Sequence, residues 1–323
     1  MEFQPRVSVV IGVQHAWQNI PGIVGRIGSS GAQEREVIIC HASDDPPPAE
    51  LALPDHFAVL SGHAGALIPE LWALGIASAQ GEVVAILSAN CIPDAHWIRK
   101  VATLDLAMHV AYGGAIYLAD FASGRDTAIH VLRYCSVTPP QSKREIQDVA
   151  ADNSVYRRAE IIKHEDLLKL GFWEPSFHAR FRADGLTMAF EPDLSVAHVN
   201  TYSTRAFLVR RFEHGHAFGQ ERMSRFGLWR RVAMLALAPL AACYFAAKVI
   251  GRGVASPGLR WRLPGSLPWL VPFIAAWSLG ELSGYFASVF RANHPHDPGG
   301  AESGSKVAVE SAGDQAGRAA THE

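Results

Sequence analysis

The chain has 323 residues, with 29 basic and 31 acidic side chains and a net charge of −2 at pH 7. This length exceeds the ~100–200 residues of a typical domain and is enough to bury a large core. The balanced charge excludes a chain-wide attraction to nucleic acid, although arginines cluster between Arg205 and Arg231. That cluster indicates either an anionic partner or a solvated basic helix face.

Short apolar runs alternate with helical periods in the first half, which is typical of βα units and a mostly parallel sheet. The predicted strands are residues 7–11, 36–40, 57–60, 83–87 and 110–116. Apolar spacing from Trp17 to Ile27 predicts one helix, and Pro69 begins another that ends near Ala79. Right-handed crossovers place the loops after these strands along one edge, where open α/β sheets bind ligands. We expect no secretory signal, because the N-terminus leads directly into the first strand.

A buried strand ends at a polar loop within residues 81–97, GEVVAILSANCIPDAHW. This stretch resembles family-2 glycosyltransferases, which have Gly-Glu, an apolar strand, Asp-Asp-Asp-Cys, Ile or Val, Pro and Trp here. The resemblance implies an α/β, GT-A-like fold, with a mostly parallel sheet flanked by helices, and a nucleotide-sugar substrate. In that family the carboxylates hold a divalent metal, Mg²⁺ or Mn²⁺. Ser88, Ala89 and Asn90 replace them here, and Asn90 is expected beside the nucleotide.

Two further segments of the first half resemble the family. Residues 40–45, CHASDD, are similar to an Asp-x-Gly-Ser-x-Asp loop that contacts the base and ribose, which implies nucleotide contacts for Ser43 and Asp45. The alternative is an ordinary Asp/Pro turn after a strand. Residues 68–82 begin Ile-Pro-Glu-Leu-Trp and resemble a branch of the family in which the metal loop is not acidic.

Residues 152–158, DNSVYRR, resemble the family element beside the donor phosphate and the acceptor. The resemblance implies acceptor-side or phosphate contacts for Asp152, Asn153 and Arg157. Residues 171–185 resemble a region that ends in Arg-x-Arg-x-x-Gly, in which Glu174 matches the general base that deprotonates the acceptor hydroxyl. Pro175 favours a helix N-cap at Glu174, where the backbone dipole would keep the carboxylate charged at neutral pH. The alternative is a carboxylate that only caps the helix.

Residues 188–198 predict two short strands around a Pro-Asp turn, and they resemble a family segment whose His touches the metal or the leaving diphosphate. That resemblance makes His198 a candidate metal ligand. An imidazole with Asn90 forms a weak Mg²⁺ or Mn²⁺ site, because hard cations prefer several charged oxygens. The other route is stabilisation of the leaving group by cations, for which Arg157, Arg210 and Arg211 are candidates.

The segment 205–225 is predicted to form a helix that crosses the acceptor side, with His214 and His216 on its surface. Beyond it, residues 232–250 and 267–290 are apolar runs near the ~20 residues that cross a bilayer. These patterns predict a glycosyltransferase domain at 1–225, a membrane-associated helical hairpin at 226–291 and a disordered tail at 292–323. A buried helical hairpin is the alternative. Full spanning would place the basic connector opposite the basic catalytic side, whereas an interfacial hairpin would not.

The sequence therefore leads to one hypothesis and one alternative. The hypothesis is a glycosyltransferase at the cytoplasmic face of the inner membrane, which moves a sugar from a nucleotide sugar to a lipid-linked or polysaccharide acceptor by inverting displacement. The alternative is a catalytically silent scaffold or binding subunit of an envelope polysaccharide assembly. A dinucleotide-binding oxidoreductase is excluded, because no Gly-x-Gly-x-x-Gly follows the first strand.

Overall fold

A computed structural model describes residues 6–28, 35–54, 57–224 and 226–291 of the chain. The predicted tail at 292–323 lies outside the described residues, as does Arg225 at the end of the predicted acceptor-side helix.

Strands and helices alternate through most of the described chain. The strands are β1 Val7–Val13, β2 Arg35–Ala42, β3 Phe57–Gly62, β4 Val83–Ser88, β5 Cys91–Pro93, β6 Ala111–Leu118, β7 Arg144–Ile146, β8 Asn153–Arg157 and β9 Met188–His198. The helices are α1 Ile20–Gly28, α2 Ile68–Ser78, α3 Trp97–Thr103, α4 Gly124–Tyr134, α5 Arg158–Ile162, α6 Glu165–Leu168, α7 Glu174–Ala183, α8 Thr204–Ser224, α9 Leu228–Ala255 and α10 Leu263–Arg291.

The strands form one mixed sheet in the order β3-β2-β1-β4-β8-β6-β9-β5, and β7 pairs with β9. Strands β3, β2, β1 and β4 are parallel, β8 lies antiparallel between β4 and β6, and β6 is parallel to β9. Every residue of β1 is buried, as expected for a parallel strand covered on both faces. The predicted α/β class is confirmed and each predicted first-half strand is present, although parallel and antiparallel strand pairs are equally frequent among the described residues.

Successive side chains of the sheet point to opposite faces, which gives the molecule two cores. On one face Val9 and Ile11 of β1 pack with Ile20 of α1 and Trp97 of α3. On the other face Val10 packs in a cluster with side chains of α2 and α7, including Trp72, Ile76 and Phe177. Helices cover both faces of the sheet, and the loops that follow the parallel strands lie at its carboxyl-terminal edge.

The predicted pair of short strands at residues 188–198 is wrong in detail. These residues form the single strand β9, whose register against β6 shifts between Gly114, opposite Glu191, and Ala115, opposite Ser195. The Pro-Asp turn is therefore a bulge in a continuous strand, because the residues on both sides of it still pair with β6.

Helices α8 and α10 pack at unusually close range through glycines. Gly215 and Gly219 of α8 face the backbone of Trp277 and Glu281, and Gly280 and Gly284 of α10 face the backbone of α8. A Cβ at Gly219 would lie 2.6 Å from the Glu281 carbonyl oxygen, and the other three positions are at least as crowded. Small residues four apart on both helices permit this approach, as in tightly crossing membrane helices.

The two apolar C-terminal runs differ from each other in packing. Among the described residues α9 alone is long and apolar enough to cross a membrane, and almost none of its side chains are buried. The second run differs, because α10 packs on α8 and α4 and buries Phe273 and Ile274. Its acidic residue, Glu281, pairs with Arg222 of α8 at 3.1 Å.

Candidate active site

A cavity of about 390 Å³ lies between the carboxyl-terminal edge of the sheet and helices α8, α9 and α10. Its charged lining residues are Arg133, Asp148, Asp152, Glu174, Arg210 and Arg211. Its aromatic lining residues are Trp72, Trp173, Tyr202, Phe207, Phe218, Phe245 and Trp277. Charged groups beside aromatic surface are typical of a site that binds a polar ligand with an apolar part.

Glu174 lies in the wall of this cavity as the first residue of α7, one position after the N-cap Trp173. Its Oε1 accepts a hydrogen bond from the Ala151 N–H at 3.3 Å. Burial, followed by the nearby Asp152 carboxylate, raises the pKa of Glu174 to about 7. The expectation of a fully charged carboxylate at neutral pH is therefore wrong, because desolvation outweighs the helix dipole.

Asp152 forms the closest ion pair of the cavity, with its Oδ1 2.6 Å from Nη2 of Arg133. Although burial opposes the charge, the Asp152 carboxylate raises the pKa of Arg133 above its ordinary value. Arg133 projects from α4, whose first turn is closed by a reciprocal capping box between Ser123 and Asp126. The site thus holds a fixed cation and a fixed anion beside Glu174.

Arg210 and Arg211 reach the same cavity from α8. Arg210 pairs with Glu213 at 2.9 Å, and its Nη2 lies 3.3 Å from Nε2 of His15. Arg211 stacks on the Trp277 ring, with Cζ 4.0 Å from the ring centroid. Burial and the nearby Arg133 lower the pKa of Arg211 to about 9, so this guanidinium stays cationic at neutral pH. Both guanidinium groups can donate hydrogen bonds to an anionic group.

The loops after β1 and β2 meet at the neighbouring part of the sheet edge. Oδ2 of Asp45 accepts a hydrogen bond from the His15 backbone N–H at 2.6 Å, and His15 has the left-handed backbone φ of 53°. A non-glycine residue in this conformation is strained and occurs most often at functional sites. Ser43 is exposed on the same loop as Asp45. Asp45 and Ser43 do not line the cavity, but Arg210 connects it to their loops through His15.

The side chains that could bind a metal near the loop after β4 already contact other groups of the protein. Asn90 is buried, and its Oδ1 accepts a hydrogen bond from Thr201 Oγ1 at 2.9 Å. Nδ1 of His198 lies 3.2 Å from Nδ1 of His130, and burial, His130 and Arg133 lower the pKa of His198 well below its ordinary value. In the described part of the chain no group of three or more His, Cys, Asp or Glu side chains could hold a metal ion. These residues do not fit a protein-bound Mg²⁺ or Mn²⁺, because hard cations prefer charged oxygens and neither Asn90 nor His198 supplies one.

Two residues predicted on the acceptor or phosphate side have other roles. Asn153 is fully buried, where its Nδ2 donates to Ala115 O and Leu194 O and its Oδ1 accepts from the Trp97 indole N–H at 2.8 Å. Its amide therefore ties β8 to β6 and β9. Arg157 lies opposite Val83, at the far end of β8 from the cavity.

Arg157 is held there by contacts within the protein. Its Nε donates to Leu106 O at 3.0 Å, and its Nη1 lies 3.5 Å from Glu160. The predicted acceptor-side or phosphate contacts of Asn153 and Arg157 are therefore corrected. Asn153 is buried in the core, and Arg157 lies at the end of β8 that is away from the cavity.

The cavity also contains residues that the sequence did not indicate. His214 lines the cavity beside Trp173, which corrects its expected place on the helix surface. Burial, followed by the nearby Arg211, lowers the pKa of His214 to about 3. Tyr202 donates its hydroxyl hydrogen to Oε1 of Gln14 at 3.0 Å and closes the cavity above β1. Ser-x-x-Asp at residues 123–126 could have indicated the start of α4, the helix that carries Arg133, but not that Arg133 enters the cavity.

No family description matches the sequence, and no curated protein matches it. Solved glycosyltransferases are similar in fold. The mannosyltransferase PcManGT from Pyrobaculum calidifontis, in complex with GDP-Man and Mn²⁺, has 15% identity and a TM-score of 0.49, over 90% of this chain and 88% of that one.

TarS 1-349 from S. aureus is similar at 12% identity, with a TM-score of 0.43 over 90% of this chain and 92% of that one. The same protein in complex with UDP has 12% identity and a TM-score of 0.44, over 89% and 92%. At these values the likeness concerns the fold alone, and the chemistry of the site rests on this chain's own residues.

Proposed function

We propose that the chain is a glycosyltransferase that moves a sugar from a nucleotide-sugar donor to an acceptor hydroxyl by inverting displacement. Glu174 removes the hydroxyl proton, the loops with Ser43 and Asp45 contact the nucleotide, and the acceptor occupies the cavity. The acceptor is a lipid-linked sugar or a polysaccharide, and the enzyme lies at the cytoplasmic face of the inner membrane.

The main support for the proposal is the Glu174 carboxylate, which lines the cavity with a pKa raised to about 7. A sugar hydroxyl is a poor nucleophile, so its attack on an anomeric carbon needs proton removal as the bond forms. A base is most effective when its pKa lies near the working pH, and burial beside Asp152 gives Glu174 that property. A carboxylate that only capped a helix would have no need of this environment.

Cationic side chains would take the place of a protein-bound metal. Arg210 and Arg211 line the cavity, and both remain able to bind oxygens of a leaving diphosphate. Fixed guanidinium groups stabilise developing negative charge most strongly where water is excluded, and Nε of the half-buried Arg211 is shielded from solvent. Arg133 is committed to Asp152 at 2.6 Å, so its role in this proposal is to hold that carboxylate beside Glu174.

The cavity wall also supports a lipid-linked acceptor. Phe245 of α9 and Trp277 of α10 form part of the wall. The cavity is therefore bounded by the one described helix that is long and apolar enough to cross a membrane. A lipid carrier in the bilayer could present its sugar to Glu174 along this side, whereas a soluble polysaccharide would not need it.

Transfer is expected to depend on pH through Glu174. The base works only as a carboxylate, and its pKa is about 7. The value of kcat/KM should therefore fall about tenfold for each pH unit below 7 and level off above it. A pH profile of kcat/KM from acidic to mildly alkaline buffers measures this. A flat profile down to pH 5 would contradict a role for Glu174 as the base.

Donor binding tests the proposal directly. Titration calorimetry of UDP-, GDP- and dTDP-sugars into detergent-purified protein, with Mn²⁺ and again with EDTA, should give saturable binding of one donor class in both conditions. Metal-independent binding is expected because Arg210 and Arg211 line the cavity, whereas the described residues include no group of side chains that could hold a metal ion. Binding only with Mn²⁺ would contradict the cationic mechanism. No binding to folded protein would favour the silent scaffold, which the loss of carboxylates at Ser88 and Asn90 already permits.

A further inference from the structure

A second cavity, of about 450 Å³, lies beneath the C-terminal end of α9. It lies against the segment that joins α4 to β7, and Ser136 lines both this cavity and the one that contains Glu174. The polar lining includes Gln141, Arg144, Arg252 and Ser256. No acidic side chain is among its described lining residues, so the cavity has a net positive charge.

The two arginines of this cavity have no carboxylate partner within the described ranges. Arg144 is held in place, because Nη1 donates to Ser142 O at 3.3 Å, Nη2 donates to Gln141 Oε1, and Cζ lies 5.1 Å from the Phe190 ring centroid. Arg252 is exposed in the last turn of α9. A guanidinium has five N–H donors, so both side chains retain donors for a ligand.

The hydroxyl of Ser256 is the second sign of a ligand. Ser256 is 7% exposed, and its Oγ has no hydrogen-bond partner among the described residues. Its backbone N–H is already paired, since it donates to the carbonyls of Arg252 and Gly253. Buried polar groups in folded proteins almost always have partners, so an unpaired hydroxyl in a cavity wall indicates a missing acceptor or donor.

We propose that this cavity binds a phosphate group, contacted by Arg144, Arg252 and the Ser256 hydroxyl. Two guanidinium groups and a hydroxyl can all donate to phosphate oxygens, and arginine binds them through two parallel bonds. The favoured source is the headgroup of an anionic phospholipid. The cavity lies at one end of α9, whose Leu240 and Tyr244 are 68% and 69% exposed, as expected of a helix that contacts lipid.

The inference stands apart from glycosyl transfer, because its ligand need not react and its residues do not include Glu174. Binding is measured on the full chain purified in a non-ionic detergent. One arm uses vesicles of phosphatidylcholine with and without phosphatidylglycerol, and the other arm uses inorganic phosphate in calorimetry. The variants are Arg144→Gln, Arg252→Gln and Ser256→Ala. The matched control is Arg260→Gln, because this nearby exposed arginine does not line the cavity.

The expected result is that Arg144→Gln and Arg252→Gln each weaken phosphatidylglycerol-dependent binding by about tenfold, whereas Arg260→Gln changes it by less than about twofold. Ser256→Ala should weaken binding and also raise Tm in the absence of phosphate, since it removes an unpaired buried hydroxyl. Saturable binding of inorganic phosphate that is lost in the same variants would support the site and assign it to free phosphate. Equal binding of both probes by all variants would overturn the proposal.

Discussion

Replacing Glu174 by glutamine is expected to lower sugar transfer by roughly 10²–10⁴-fold, the usual contribution of a general base. The amide keeps the size of the side chain and can still contact Ala151, but it cannot remove a proton. Donor affinity should stay within about twofold of the wild type, because the arginines and strand-end loops are unchanged. Single-turnover transfer and donor calorimetry on the same preparation separate these two effects.

Glu174→Gln should also change how the free energy of unfolding depends on pH, and this measurement shows that the variant is folded. The pKa of Glu174 rises from an ordinary 4.5 to about 7 in the folded state, so its contribution to stability is complete below pH 4.5 and is lost as the pH rises through 7. Glutamine cannot ionise, and the variant should be more stable than the wild type at pH 8, by at most about 3 kcal/mol. Thermal unfolding at pH 5 and pH 8 measures this difference.

Arg157→Gln is the matched control for this experiment, since Arg157 belongs to the neighbouring sequence element but lies away from the cavity. Its transfer rate should equal that of the wild type. Transfer by Glu174→Gln at the wild-type rate would mean that Glu174 is not the base. A folded Arg157→Gln variant that transfers no sugar would mean that Arg157 does belong to the site.

The sheet of the first half could be predicted from the sequence because its strands are short apolar runs separated by helical periods. Val7–Val13 is buried along its whole length, and a parallel strand covered on both faces requires such a run. The bulge in β9 could not be predicted in the same way. Pro192 and Asp193 are turn residues by type, and only pairing with β6 on both sides shows that the strand continues.

The site was harder to predict than the fold, because side chains of a single sequence motif lie in different parts of the structure. Asp152, Asn153 and Arg157 are close in sequence, yet the two ends of β8, at Asn153 and Arg157, are roughly 13 Å apart, at about 3.3 Å per residue. Asp152 reaches the cavity, Asn153 points into the core, and Arg157 lies at the other end of the strand.

The raised pKa of Glu174 could not be predicted from the sequence either. The pKa of Glu174 depends on burial and on Asp152, and Asp152 is in turn paired with Arg133. These three groups are brought together from α7, the segment before β8, and α4. Local sequence indicates only that a helix begins near Glu174, so it predicts the effect of the dipole and misses the stronger effect of desolvation.

A single methyl group added at Gly280 is expected to destabilise the protein by about 1–3 kcal/mol, the usual cost of overpacking. The Cβ of Gly280→Ala would lie 2.8 Å from the Phe212 carbonyl carbon and 3.0 Å from the His216 nitrogen. These are backbone atoms and cannot rotate away, so α10 must move relative to α8. Trp277 of α10 stacks on Arg211 of α8, so this movement should also weaken binding of the donor diphosphate.

Gly251→Ala is the matched control, because a Cβ at this exposed glycine of α9 has no atom within 4 Å. Alanine is the better helix former by about 1 kcal/mol, so this variant should unfold at the same or a higher temperature. Thermal unfolding in detergent and donor calorimetry on both variants provide the comparison. A Tm for Gly280→Ala equal to that of Gly251→Ala would mean that α8 and α10 do not pack this closely. A lower Tm with unchanged donor affinity would instead separate the helix interface from the placement of Arg211.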